Sequence, residues 1–386
     1  MTPAARVAAA IDILDQVLDG MPAEQVLTRW ARGSRFAGSK DRAAVRDHVF
    51  DALRQRNTFA HLGGGLKGRG LMIGQTRAAD IPLDQIFNSQ GYGADALTQA
   101  ELDHLPTGPL PPTADMPEWL HPALRDSLGN DFEAVCAQMQ TRAPVFLRVN
   151  LHKTTLEQAQ KALQEEDILT KPNLLASTAL QVTKNARRVQ NSKAYAAGLV
   201  ELQDAASQAV TAGLPLKSSR VLDYCAGGGG KSLAMAALGA TVFAHDINTD
   251  RLKNIAPRAD RADTPITLLD SDEIADHAPF DLVLIDAPCS GSGSWRRSPD
   301  AKWRLTSDAL SDLHDIQSKL LEIAHPLVSS DGILIYVTCS ILMSENQTKI
   351  TDFTSKNLDW HVKSEQILTP LDGADGFYCA RLKRVK

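Results

Sequence analysis

Residues 280–304 read FDLVLIDAPCSGSGSWRRSPDAKWR, and this stretch decides the fold class. Phe280 to Asp286 has the apolar continuity of a strand buried on both faces. It runs through Asp286 and Pro288 into Cys289, then into small residues at 290–294. Four cations follow, Arg296, Arg297, Lys302 and Arg304, with Trp295 and Trp303 among them. Open α/β sheets place ligands at the carboxyl ends of their strands. The small residues predict that something large comes close to the loop, and the cations suit a phosphate backbone. A second strand-like run, 332–338, also ends in a thiol, Cys339.

Outward from this stretch, short strands and helices alternate from residue 220, which predicts a doubly wound, mostly parallel sheet. Strands are expected at 220–224, 241–245, 266–269, 280–285 and 333–337, and helices through 235–238, around Leu252 and at 307–325. Asp246, Asp270 and Asp286 stand at successive strand ends, so a parallel sheet brings all three to one edge. The turn 225–232, CAGGGGKS, joins the first of these strands to a helix. Its glycines let a ligand touch the backbone and meet the N–H groups of the helix start. It is not a phosphate-binding P-loop, which needs a glycine where Cys225 stands. With three acids beyond such a turn, S-adenosylmethionine fits better than a dinucleotide.

The first 60 residues read as helices, with Val7, Ile11, Leu14 and Leu18 on one stripe and Val45, Val49 and Leu53 on another after a cap at Ser39. Glycines at 63–65, 68 and 70 interrupt the pattern, and parts of 71–87 are helical again. Six prolines between 105 and 122 predict a linker. A small α/β unit follows: a helix at 122–140, a strand at 144–150 (PVFLRVN), a helix at 156–165 and short strands at 180–183 and 199–203.

Over 386 residues the net charge of −5 argues mildly against a nucleic-acid partner, but distribution outweighs the total. Residues 28–56 hold eight cations against three acids. Five cysteines far apart in sequence and without a CxxC argue against a disulfide framework and a zinc site, and point to a reducing compartment, the cytoplasm. No apolar run is long enough for a membrane span or a secretory leader.

The two thiols carry the chemistry. Carbon-5 of cytosine is a poor nucleophile, and adding a thiolate at carbon-6 turns the ring into an enamine that attacks a methyl donor from carbon-5. After transfer the carbon-5 proton leaves and the thiolate is expelled, a step a second cysteine assists. A lone free cysteine is usually a small buried hydrophobe. Two at the functional edge of one sheet point instead to cytosine methylation on RNA.

In order, QDAAS (203–207), DYCAGGGGKS (223–232), Asp246, DAPCSGSGSWRRSPDAKW (286–303), TCS (338–340) with Glu345 and Asn346, and DGFYCARL (375–382) resemble the Nop/Sun family of RNA 5-methylcytosine methyltransferases. The basic N-terminal helices, with SKDRAAVRDHVFDALR, resemble the NusB-like domain of its RsmB branch, which methylates 16S rRNA at position 967. The resemblance implies a Rossmann-like methyltransferase core at 197–386, a small α/β RNA-recognition subdomain at 119–196, a linker at 105–118 and a NusB-like helical domain at 1–104. It implies Cys339 as nucleophile and Cys289 as the residue assisting release. S-adenosylmethionine would be held by Cys225, Ala226, Gly227, Gly228, Gly229, Gly230, Lys231, Asp246, Asp270 and Asp286. RNA would be met by Arg148, Arg296, Arg297 and Lys302. The expected partner is 16S rRNA or an assembling small ribosomal subunit, with the chain a monomer, without metal and off the membrane. One departure is visible: the family's usual APGGK is GGGGK here, with Gly228 in the proline position.

Three rival readings are weaker. DNA cytosine methylation would use Cys289 and leave Cys339 idle. Amino-group methylation wants a [DN]PP[YF]-type loop where DAPC stands. A non-catalytic ribosome-assembly factor predicts loss of a thiol or an acid, and all are present. Another RNA, such as tRNA, is the alternative substrate within the same chemistry.

Overall fold

Two strands set the architecture. In the computed structural model, which describes residues 1–385, Phe280–Asp286 and Val328–Thr338 pair in parallel, with Ile285 opposite Tyr336 and Asp286 opposite Val337. Successive side chains point to opposite faces. Leu282 and Leu284 therefore enter one apolar core with Ile333, Ile335 and Val337, while Val283 and Ile285 enter another with Leu334 and Tyr336. Each fully buried aliphatic side chain contributes about 1.5–3 kcal/mol of transfer free energy. A strand buried on both sides is thus doubly specified.

The chain divides into two units, Met1–Arg142 with Trp295–Leu305, and Ala143–Ser294 with Thr306 onward. In the second unit, β1 (Val145–Val149), β2 (Leu169–Pro172), β3 (Ala179–Lys184) and β4 (Val200–Leu202) form an antiparallel sheet of order β2-β3-β1-β4. Leu147 and Val149 face that sheet's own core, whereas Phe146 faces the core of the larger sheet. The larger sheet adds β5 (Arg220–Asp223), β6 (Thr241–Ala244), β7 (Ile266–Leu268), β8 (Phe280–Asp286), β9 (Val328–Thr338), β10 (Trp360–Leu368) and β11 (Phe377–Arg384), in the order β10-β11-β9-β8-β5-β6-β7. From β7 to β9 every pairing is parallel, and β11 and β10 close the edge antiparallel. The expected doubly wound sheet is present; the β10–β11 hairpin and β2 are additions to the sequence reading.

In the first unit, helices Pro3–Leu18, Ala23–Gly33, Ser39–Arg54, Arg56–Gly63 and Gly68–Ala78 bury Val7, Leu14, Val26, Val45, Val49, Leu53, Phe59 and Leu71 in one core. Gly63 and Gly74 are contact points between helices Arg56–Gly63 and Gly68–Ala78. A Cβ on Gly63 would lie 1.8 Å from the Gly70 carbonyl oxygen, and one on Gly74 would lie 2.0 Å from that of Phe59. The proline-rich segment is tied down rather than free. Asp115 within it is fully buried and accepts from the backbone N–H groups of Asn57 (2.8 Å) and Thr58 (3.1 Å), the Thr58 hydroxyl (2.7 Å) and the Gln140 amide (2.9 Å). The helix expected at 122–140 is broken at Gly129 into His121–Leu128 and Phe132–Met139. Among the described residues, no helix is long and apolar enough to cross a membrane.

Candidate active site

All five parallel strands deliver their carboxyl ends to one edge, and both thiols lie there. The Cys289 and Cys339 Sγ atoms are 3.5 Å apart, both half-buried. Their environments differ. The hydrogen bond from Cys289 holds Cys339 below the ordinary thiol pKa, helped by the Lys231 ammonium and the Ser294 hydroxyl against burial and Asp286. The same contact, with burial and the Glu345 carboxylate, pushes Cys289 well above that value. A thiol held low carries more of the thiolate, which is the nucleophilic form of the sulfur.

Glu345 brackets the two thiol loops. It is fully buried, and its Oε1 accepts from the Ser290 N–H (2.8 Å) and the Gln317 amide (3.0 Å), its Oε2 from the Ser290 and Ser340 hydroxyls (both 2.5 Å). Ser290 follows Cys289 and Ser340 follows Cys339, so one carboxylate fixes the spacing of both. Asn346 adds a second brace, accepting from Thr338 Oγ1 (2.5 Å) and donating to the Ser340 carbonyl (2.9 Å). The bracing role of Glu345 and Asn346 is set by tertiary contacts and has no local signal in the sequence.

Of the small residues at 290–294, two serve internal packing, while Ser290, Gly291 and Ser294 are half-buried. Ser292 and Gly293 are buried, Ser292 Oγ lies 2.9 Å from Ser340 Oγ, and a Cβ on Gly293 would lie 2.1 Å from the Gly376 carbonyl oxygen. What comes close to Gly293 is the chain's own backbone.

The glycine turn runs from β5 into helix Gly230–Ala237. Gly227 (φ +53°) and Gly229 (φ +78°) are in the left-handed region, which favours glycine. Cys225 is half-buried and its thiol is pushed far up by burial, which removes it from thiolate chemistry, and Ala226 is buried. Asp246 is buried beyond β6, accepting from the Gly227 N–H (2.8 Å) and the Asn248 N–H (2.9 Å), with Arg251 at 3.2 Å. Asp286 pairs with Lys231 at 2.6 Å. Burial opposes the Lys231 charge, but the carboxylates outweigh it and the ammonium's pKa rises. Asp270, beyond β7, is exposed. The donor set is three carboxylates with two cations already committed, Lys231 to Asp286 and Arg251 to Asp246. That suits a ligand bearing hydroxyls and positive charge, as S-adenosylmethionine does, and not a polyphosphate.

Three of the four expected RNA contacts are internal. Arg148 is 4% exposed and donates from Nε to Gln203 Oε1 at 2.7 Å. Arg296 is fully buried, and its carbonyl accepts from Arg54 Nε at 2.7 Å. Lys302 is 1% exposed and donates to the carbonyls of Arg54 (2.9 Å) and Asp115 (2.6 Å), with burial lowering its pKa to about 7. Nearby, the Trp303 indole donates to the Leu53 carbonyl (2.8 Å) and Arg56 lies over its ring at 3.5 Å. The cationic run after Cys289 is thus largely internal structure of the first unit. Arg297 is half-buried and Arg304 exposed, the latter 3.3 Å from Asp300. Sequence shows a cation but not whether it is inside.

A sheet of this topology with two strand-end thiols beside a glycine turn and carboxylates defines a Rossmann-like methyltransferase. Comparison with known proteins narrows this. Residues 211–383 match the 16S rRNA methyltransferase RsmB/F family and residues 116–190 the RsmF/B-like ferredoxin-like domain. The chain is 33% identical over 306 residues to ribosomal RNA small subunit methyltransferase B of Xylella fastidiosa, covering 74% of this chain and 70% of that protein. Its fold is shared with PH0851 (TM-score 0.76, 21% identity, 100% of this chain and 99% of that one) and with NSun6 from Pyrococcus horikoshii, solved with SFG (TM-score 0.60, 17% identity, 70% and 98%). The chain belongs to the RsmB family of RNA methyltransferases.

Proposed function

We propose that this protein methylates carbon-5 of a cytosine in small-subunit ribosomal RNA, at a site of the position 967 type, in the cytoplasm. The observation that carries the reading is the 3.5 Å approach of two thiols with opposite pKa displacements at the sheet edge. Bound S-adenosylmethionine supplies an electrophilic methyl group; the glycine turn 225–231 and Asp246, Asp270 and Asp286 would hold it. The Cys339 thiolate would add to cytosine carbon-6, forming a C–S bond and placing the ring's electron pair at carbon-5; carbon-5 would then take the methyl group as the donor's sulfonium S–CH3 bond breaks and leaves its pair on that sulfur. A base then removes the carbon-5 proton, the electrons of that C–H bond restore the ring double bond, and the C–S bond breaks with its pair returning to Cys339. Cys289, held protonated, donates toward that sulfur as it leaves. Exposed cations Arg29, Arg32, Arg35 and Lys40 of the helical unit support an RNA substrate more directly than the buried ones.

The test is a denaturing gel of protein incubated with 16S rRNA fragments and S-adenosylmethionine. Cys289→Ala is expected to accumulate a covalent protein–RNA adduct and Cys339→Ala to form none. An adduct that depends on Cys289 instead reverses the roles, and no methyl incorporation by wild type into any fragment rejects this substrate.

A further inference from the structure

The four consecutive glycines at 227–230 pose a problem for a ligand cradle, because glycine loses more conformational freedom on ordering than any other residue. Positive φ accounts for Gly227 and Gly229. Gly228 is different: its φ lies outside the left-handed region, so a side chain is compatible with its backbone. The one group near its missing Cβ is Arg258 Nη1, at 3.2 Å.

Arg258 lies on helix Ile255–Ala262, and its Nη1 donates to the Gly228 carbonyl. The guanidinium is itself held. Its Nε is 3.4 Å from Glu201 Oε2, and the same oxygen accepts from Arg261 Nη2 at 2.6 Å. Glu201 is 7% exposed on β4, where its backbone pairs with Arg148 of β1. The helix is tied to the small sheet at its other end too, since Asn150 Nδ2 donates to the Ala262 carbonyl at 2.7 Å. A Cβ at 228 would press on the guanidinium and force it to give by a few tenths of an ångström, while in place the guanidinium restrains the turn the glycines would leave loose.

We propose that Arg258, anchored by Glu201, is a positioning residue that fixes the glycine turn for its ligand, a restraint delivered from the small sheet by hydrogen bonding where a proline ring at 228 would deliver it covalently. The proposal rests on the reading of the turn as the S-adenosylmethionine site.

It is tested by calorimetric titration of the full-length protein with S-adenosylmethionine. Arg258→Met keeps the aliphatic volume and removes the donor, while Glu201 retains Arg261. Its Kd should rise roughly tenfold, the loss of one charge-assisted hydrogen bond. Gly228→Pro should act in opposite directions in two backgrounds. With Arg258 present the ring meets Nη1 and affinity falls; with Arg258→Met it recovers several-fold of the loss. A part that only supports folding would not produce that reversal of sign. Glu201→Gln, which loosens the anchor without removing the donor, should raise Kd a few-fold and decides the matter should Arg258→Met not fold. The clamp is overturned by wild-type affinity in Arg258→Met or Glu201→Gln, or by a proline effect of the same sign in both backgrounds. Wild-type protein that binds no S-adenosylmethionine rejects the cofactor reading, and the clamp with it.

Discussion

Glu345 is the group whose replacement most directly tests how the two thiols are held. Its carboxylate accepts four hydrogen bonds from residues on both thiol loops and from Gln317. Alanine removes all four. A hydrogen bond to a charged group contributes about 1.5–3 kcal/mol, so loss of the equivalent of two comes to about 3–6 kcal/mol; four would not add in full, because the contacts share partners. Glutamine has the same shape and a different fate. Its carbonyl oxygen can take the Oε1 position, facing donors that have no alternative, while its NH2 faces two serine hydroxyls that can rotate to accept. Glu345→Gln should therefore cost about 1 kcal/mol and retain methyl transfer, and Glu345→Ala should shift the urea midpoint by several times more and abolish transfer. Removing the charge also relieves one cause of the raised Cys289 pKa, so Cys289 in Glu345→Gln should alkylate at lower pH than in wild type. A Glu345→Ala protein as stable and active as wild type, or a glutamine variant as damaged as the alanine one, would refute the bracket.

Three further outcomes are expected. Cys339 should be the first of the five cysteines alkylated by iodoacetamide near neutral pH, by peptide mapping, because its thiol is the one held low while Cys136, Cys225, Cys289 and Cys379 are all raised. Asp223, buried at the end of β5, has its pKa raised from 3.8 to about 7 by burial. Between those values the folded state binds more protons than the unfolded, so this group's stabilisation is full below about 4 and is lost as pH rises to about 7; unfolding midpoints of Asp223→Asn should lack that slope. Gly293→Ala should destabilise and inactivate, since its methyl group would fall 2.1 Å from a backbone oxygen that cannot yield as a side chain would; a melting temperature within a degree of wild type would refute it.

The central strands were legible because a strand buried on both faces leaves a near-continuous apolar run, as β8 and β9 do. β10 was not. Only Trp360 and Leu368 of its nine residues are buried, so its sequence, WHVKSEQIL, carries no such signal. The thiols and acids were legible because parallel strands must deliver their ends to one edge, so linear order alone predicts a shared location. The cations misled for a matching reason: Arg148, Arg296 and Lys302 are as polar in sequence as any surface residue, and their burial follows from carbonyls and amides supplied by distant segments.

Sequence by itself thus determined the fold class and the shared location of the two thiols, since both follow from local periodicity and from the topology it implies. Only the tertiary structure decided that the two sulfurs lie 3.5 Å apart with opposite pKa displacements, that Glu345 spaces the pair, that Gly293 packs on Gly376, and that Arg258 hydrogen-bonds the glycine turn. Each of these depends on the distance between groups far apart along the chain, and hydrogen bonds and pKa shifts are set by that distance and by the burial around it.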